Sequence, residues 1–236
     1  MKKIISRALG PVRYFPNRTP RLDFRRPPPI IWRMDAIQTI AVGAGLAWAS
    51  GMRLYAVMFA AGLMARYGWV TLPGDLAVLT HPLVLGSAGF MFAVEFLADK
   101  IPGVDSLWDA VHTFIRIPAG ALLAAASLGI SADPALVMAA GLLGGTLAGS
   151  SHFAKSGTRA LINTSPEPFS NWAASFTEEV LAATVVWLAF NQPALAICLL
   201  VLLVACCVWL IVALWRFLKV MFSRLSLAAG VKTTPV

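Results

Sequence analysis

Residues 193–215 read PALAICLLVLLVACCVWLIVALW, twenty-three positions without a charged side chain. A bilayer hydrocarbon core ~30 Å thick takes about 20 helical residues. This run is therefore a spanning helix, and it continues to about residue 222. It holds all three cysteines, Cys198, Cys206 and Cys207. They lack metal-type spacing and read as small apolar packing residues. Apolar segments recur upstream at 36–66, 79–98, 106–130, 134–162 and 170–190. The expected fold is all-α, a polytopic transmembrane helical bundle of about six spanning helices. The first segment is too long for one straight span at 1.5 Å per residue. It must tilt, protrude or break, and Ser50-Gly51 beside Arg53 is the expected break.

Composition points the same way. The 236 residues are 58% hydrophobic and only 13% charged, with mean hydropathy +0.76. Soluble domains carry roughly 25% charged residues. Net charge is +8, but nine of the nineteen basic residues lie in the first 33 positions, against one acid, Asp23. The remainder balances ten bases against ten acids. The basicity is a terminal feature, and no nucleic-acid surface follows from it.

The expected organisation is a basic, Pro/Arg-rich cytoplasmic arm over 1–33, a transmembrane domain over 34–224 and a cytoplasmic tail over 225–236. The arm is without the apolar core of a secretory signal. Pro27-Pro28-Pro29 would break the amphipathic helix of an organelle transit peptide. A third reading makes Met34 the first residue. Counting basic residues near helix ends places the arm, Lys100, Lys155, Arg159, Arg216, Lys219 and Arg224 on one face and mainly Arg66 on the other. Both termini are then expected in the cytoplasm.

Gly43, Leu46, Ala47 and Ser50 recur 101 positions later as Gly144, Leu147, Ala148 and Ser151. Three helices in each half would make a 3+3 inverted repeat. On the fourth segment, Gly141, Gly145 and Gly149 form a small-residue stripe for helix packing, within the monomer or in a homo-oligomer.

The charges inside these segments carry the functional signal. Each central Asp, Lys or Arg costs roughly 2.5–3.5 kcal/mol to insert, so these groups must pair or line a wet cavity. Asp105, Asp109, His112 and Arg116 are spaced 4, 3 and 4, one stripe on a helix. Pro118 follows and predicts a kink, because it frees the carbonyl of Phe114. His152, Lys155, Arg159 and Asn163 repeat the spacing. Asn171, Ser175, Glu178 and Glu179 mark the fifth segment, and Glu95 and Asp99-Lys100 end the second. The expectation is a shared polar cavity open to the cytoplasm, with Glu95 or Glu178 paired to Arg116, Lys155 or Arg159. Asp99, Lys100 and Asp105 read as interfacial. Arg53 stands apart, nearer the outer half. His112 and His152 could relay protons or serve as helix–helix hydrogen bonds.

No nucleotide-phosphate loop and no H-E-x-x-H pattern is present, and no cofactor or catalytic residue is expected. Asp105 and Asp109, one turn apart, are weak candidates for a metal. The stretches SGMRLYAVMFAAGLMARYG, EFLADKIPGVDSLWDAVHTFIR and GSSHFAKSGTRALINTSPEPFSNWAASFTEE resemble an uncharacterised bacterial membrane family, domain of unknown function 4126, over about residues 36–205. The run DKIPGVDSLWD is the most specific element. The family often has Arg-Pro where this chain has Arg116-Ile117-Pro118, so the kink position stays open. The resemblance implies a helical membrane protein and no established activity.

The polar residues favour a secondary transporter or permease for a small charged solute. Arg53, Glu95, Asp109, His112, Arg116, His152, Lys155, Arg159, Glu178 and Glu179 are its candidate binding or translocation residues. The other readings are an accessory subunit without turnover and a membrane enzyme or lipid-phosphate-handling protein with a carboxylate metal site. The lipid bilayer is the one partner common to all three.

Overall fold

The computed structural model describes residues 30–228 except 130 and 165–167, with side chains over 36–224 except 130 and 165–168. The expected arm and tail therefore lie largely outside the described residues. Six long helices follow in order: α1 (Ile30–Arg66), α2 (Pro82–Ala98), α3 (Val104–Leu128), α4 (Pro134–Ile162), α5 (Pro168–Asn191) and α6 (Pro193–Ala228). A short 3-10 helix, Gly74–Thr80, precedes α2. There is no strand among the described residues. Five of the long helices are long and apolar enough to cross a membrane. The 3-10 helix and α2 together, bent by 72°, make a sixth candidate.

The expected break in α1 is present, at Arg53, whose backbone leaves the helical region (φ −147°, ψ 71°). The contacts on either side show where the chain goes. In the first half, Gly43 abuts Ser127, Gly51 lies against Ala148, and Ser50 faces Gly120. This half runs antiparallel to α3. In the second half, Tyr55 meets His112 edge-on, Phe59 stacks on Phe92, and Gly62 rests on the Leu79 carbonyl. The helix holding Leu79 begins at Gly74, which packs on the Ala126 carbonyl and the Gly129 amide at the last turn of α3. A straight helix would carry Gly62 about 15 Å beyond Met52 the other way. The second half of α1 instead returns toward the end from which the first half came. Gly74, at φ +57° and against backbone, is a position that only glycine fits.

The other helices alternate. α4 is antiparallel to α3, with Gly144 against Ala124 and His152 bonded to Thr113. α5 is antiparallel to the first half of α1: Gln38 donates to the Phe190 carbonyl and Arg53 to the Ser175 carbonyl. α6 runs beside α4, with Leu214 against Gly157. Two expectations change. The first described turn of α1 and the last of α6 lie at opposite ends of the bundle, because α1 turns back. The matched stretches of α1 and α4 are parallel neighbours, so their similarity does not relate an inverted pair. Ser151 Oγ donates to Trp48 O (2.6 Å) and Lys155 Nζ to Met52 O (3.2 Å), advancing together along both helices.

α1 is the core element. Ala41, Val42, Leu46, Ala47 and Ala49 are wholly buried, and no position over 41–54 is exposed. The outer faces of α3 to α6 carry exposed Leu107, Phe114, Leu122, Leu142, Val180, Val201 and Trp209, a surface suited to lipid. Tyr67 and Trp69, stacked and exposed, mark one end, and Trp215 under the Lys219 ammonium marks the other. α3 continues as one helix through Pro118, although the proline leaves the Phe114 carbonyl without its usual donor.

Gly141, Gly145 and Gly149 face Ala121, Ala125 and Ile117 of α3 at ordinary contact distance. Gly51, Gly120 and Gly144 form a tighter seam, where an added Cβ would strike neighbouring backbone or side chains of α1, α3 and α4. Gly120→Leu is expected to cost ~1–3 kcal/mol by overpacking this seam. Chemical denaturation in detergent would measure the loss, with Gly86→Leu, which has open space around it, staying near wild type.

Candidate functional site

The fold-back places a helix end inside the bundle. Breaking α1 leaves the carbonyls of its first half without intrahelical donors, and non-helical backbone at membrane depth is tolerated only inside protein or beside water. Here cations supply the missing donors. Lys155 Nζ donates to Met52 O at 3.2 Å, and Arg116 Nη1 approaches Gly51 O at 3.4 Å. Positive charge is also favoured at a helix C-terminus by the macrodipole.

These cations belong to one network. Arg116 pairs with Glu95 (2.5 Å) and Asp109 (2.9 Å). Arg159 holds Glu178 through two bonds, 2.8 and 2.9 Å, and donates to the Asp99 carbonyl. Lys155 lies between them, within 3.0 Å of Asp99, 3.3 Å of Asp109 and 3.5 Å of Glu178. Arg53 reaches Asp99 at 2.6 Å, Ser175 Oγ at 2.7 Å, Glu179 at 3.4 Å and Glu178 at 3.5 Å. Asp105 closes the far edge by accepting from the amides of Gly103 and Ser106 and from Asn163, which in turn accepts from Asn171. Four bases meet six acids.

Burial is nearly complete. Arg53, Glu95, Asp99, Asp105, Arg116 and Arg159 have no exposed surface. Such ions lose several kcal/mol each in desolvation, recovered only by close pairing and further hydrogen bonds. The recovery is partial: Glu95, Asp99, Asp105, Asp109 and Glu179 each keep one buried carboxylate oxygen without a hydrogen bond, and Arg53 and Arg116 each keep Nε free.

Of the residues singled out from the sequence, Arg53, Glu95, Asp109, Arg116, Lys155, Arg159, Glu178 and Glu179 come together here. His152 joins through Thr113 (2.7 Å) and Arg116 (3.4 Å). His112 sits at the edge, stacked on Trp108 and bonded to its carbonyl. The expected pairings hold, as Glu95 with Arg116 and Glu178 with Arg159. Several readings are corrected. Arg53 is no isolated outer residue, because the fold-back sets it at the level of Asp99. Asp99 and Asp105 are network members and not interfacial, whereas Lys100 does sit at the periphery, its ammonium over the Phe96 ring. Asp105 and Asp109 turn to different partners, and no group of three metal-type ligands converges among the described residues. The polar faces pack directly on one another in place of an open polar cavity.

Sequence reasoning missed the Gly51 and Met52 carbonyls and the weight of Asp99. The four-residue spacing of Glu95 and Asp99, one helical turn, was the signal for Asp99.

The chain is a polytopic helical membrane protein organised around a buried ionic network. It belongs to the family described as Domain of unknown function (DUF4126), whose model matches residues 40–213 and so takes in every network residue. A search of curated proteins and a search of solved structures each found no match.

Arg116→Met strands Glu95 without its cation. A stability loss of roughly 3–5 kcal/mol is expected, the usual result of removing one partner of a buried pair. Adding Glu95→Gln should recover part of it, and a double-mutant cycle in detergent denaturation would read the coupling.

Proposed function

We propose that this protein is a secondary transporter for a small charged solute, working in the bacterial inner membrane through the buried ionic network. One observation carries the reading: the ions share partners. Lys155 lies within 3.5 Å of three carboxylates, and Asp99 is shared by Arg53 and Lys155 at 2.6 and 3.0 Å. Lys155 can then change partners while Asp99 keeps Arg53, Asp109 keeps Arg116 and Glu178 keeps Arg159. A pure scaffold gains little from such a network, since well-packed apolar residues often hold a core as well or better. Broken helices with buried ends also recur at the substrate and ion sites of transporters.

In this mechanism the excess of acids over bases is met by a solute cation or by protons. Loading or releasing it re-pairs Lys155 and Arg53, and the first-half end of α1 moves with them. The accessory-subunit reading is favoured by the closure of the network, which leaves Arg116 and Arg159 fully buried. Turnover separates the two.

Purified protein in proteoliposomes would be assayed by solid-supported membrane electrophysiology against panels of small organic cations, organic anions and inorganic ions. Wild type is expected to give substrate-dependent current, and Glu178→Gln to reduce it at least tenfold while the protein stays folded. No current across the panels, or equal currents from both proteins, would contradict transport.

A further inference from the structure

A lateral cleft of about 410 Å³ opens between the second half of α1, α2 and α5. Its volume is that of a small-ligand pocket. Its walls are apolar and aromatic, with Phe59, Phe92, Ala183 and Trp187 among them, and its two charged residues are Arg53 and Glu179. The Arg53 charge is already claimed. Its guanidinium lies 2.6 Å from Asp99 and 3.5 Å from Glu178. Glu179 is the most exposed acid of the network, with Lys100 as a more distant second cation. Its closest cation is Arg53 at 3.4 Å, its Oε1 accepts no hydrogen bond, and its side chain is 23% exposed while every other acid is 8% or less.

We propose that this cleft binds a hydrophobic organic amine, its ammonium pairing with the part-exposed Glu179 carboxylate and its apolar body lying along Phe59, Phe92 and Trp187. Three features select that chemistry. Even with the peripheral Lys100 counted, six acids stand against five bases, so a further positive charge is favoured and a carboxylate is repelled. The Glu179 carboxylate, part-exposed and 3.4 Å from its closest cation, has room for a further donor. The aromatic faces attract a cation that has left water and provide apolar area for the body.

The inference deepens the transporter reading by naming its substrate class, yet it is tested by binding alone. Three probes share one apolar body: 4-phenylbutylamine, 4-phenylbutan-1-ol and 4-phenylbutyrate. Each would be titrated into the full chain in lipid nanodiscs by calorimetry, with empty nanodiscs subtracted. The amine is expected to bind at least tenfold more tightly than the alcohol, with no measurable binding of the acid. Glu179→Gln should erase the preference for the amine while leaving the alcohol unchanged. Ala183→Trp, placed on an exposed wall position, should fill the cleft and abolish binding of both without lowering the melting temperature. Equal binding of amine and alcohol, or an amine preference that survives Glu179→Gln, would overturn the assignment. Amine binding without amine-driven current supports the cleft and removes transport. Current from other solutes with no amine binding removes the cleft and keeps transport.

Discussion

The Arg53–Asp99 ion pair at the break of α1 is the constraint on which the rest of the structure depends. A helix that stops at membrane depth exposes backbone carbonyls and must be covered by protein. Arg53 marks the stop, and Asp99 holds it at 2.6 Å. Lys155 then covers the Met52 carbonyl while also pairing with Asp99. The same few groups terminate a helix, join α1 to α2 and α4, and set the level of the ionic layer. Without the fold-back, Arg53 would be carried away from Asp99, and the network would lose a base while keeping its acids.

Close packing makes this arrangement attainable. Gly51 allows α1 to meet the α4 backbone at Ala148, and Gly120 and Gly144 allow α3 and α4 to approach. Membrane helices associate by packing and by interhelical hydrogen bonds, because lipid is as apolar as the helix faces. The small-residue seam on one side and the ion layer on the other thus share the work of holding α1 in the middle. The second half of α1 fills less tightly against α5, and the lateral cleft lies there.

Much of this was legible in the residues. Apolar run length set the helices, because a bilayer asks for little else. The 4, 3, 4 spacing of Asp105, Asp109, His112 and Arg116 marked a polar stripe, and all four are buried. The excess length of the first segment signalled the break beside Gly51. The direction taken after the break was not legible. A helical segment of 31 residues that crosses at a tilt and one that turns back have the same composition, and only contacts such as Gly62 with Leu79 separate them. That one ambiguity carried through to the placement of the first described turn, the sense of the repeat and the location of Arg53. The network's closure was hidden for a related reason. Spacing tells which face of a helix is polar, but not whether two polar faces meet across water or across a hydrogen bond.

The most direct test of the fold-back is the side from which the start of α1 can be reached. In a background with Cys198, Cys206 and Cys207 changed to serine, single cysteines at the exposed positions Ala36, Trp69 and Ile101 would be labelled in sealed vesicles of known orientation with a membrane-impermeant maleimide. The account predicts that Ala36→Cys and Trp69→Cys react from the same side and Ile101→Cys from the other. Labelling of Ala36→Cys from the side of Ile101→Cys would mean that α1 crosses the membrane, and would contradict it.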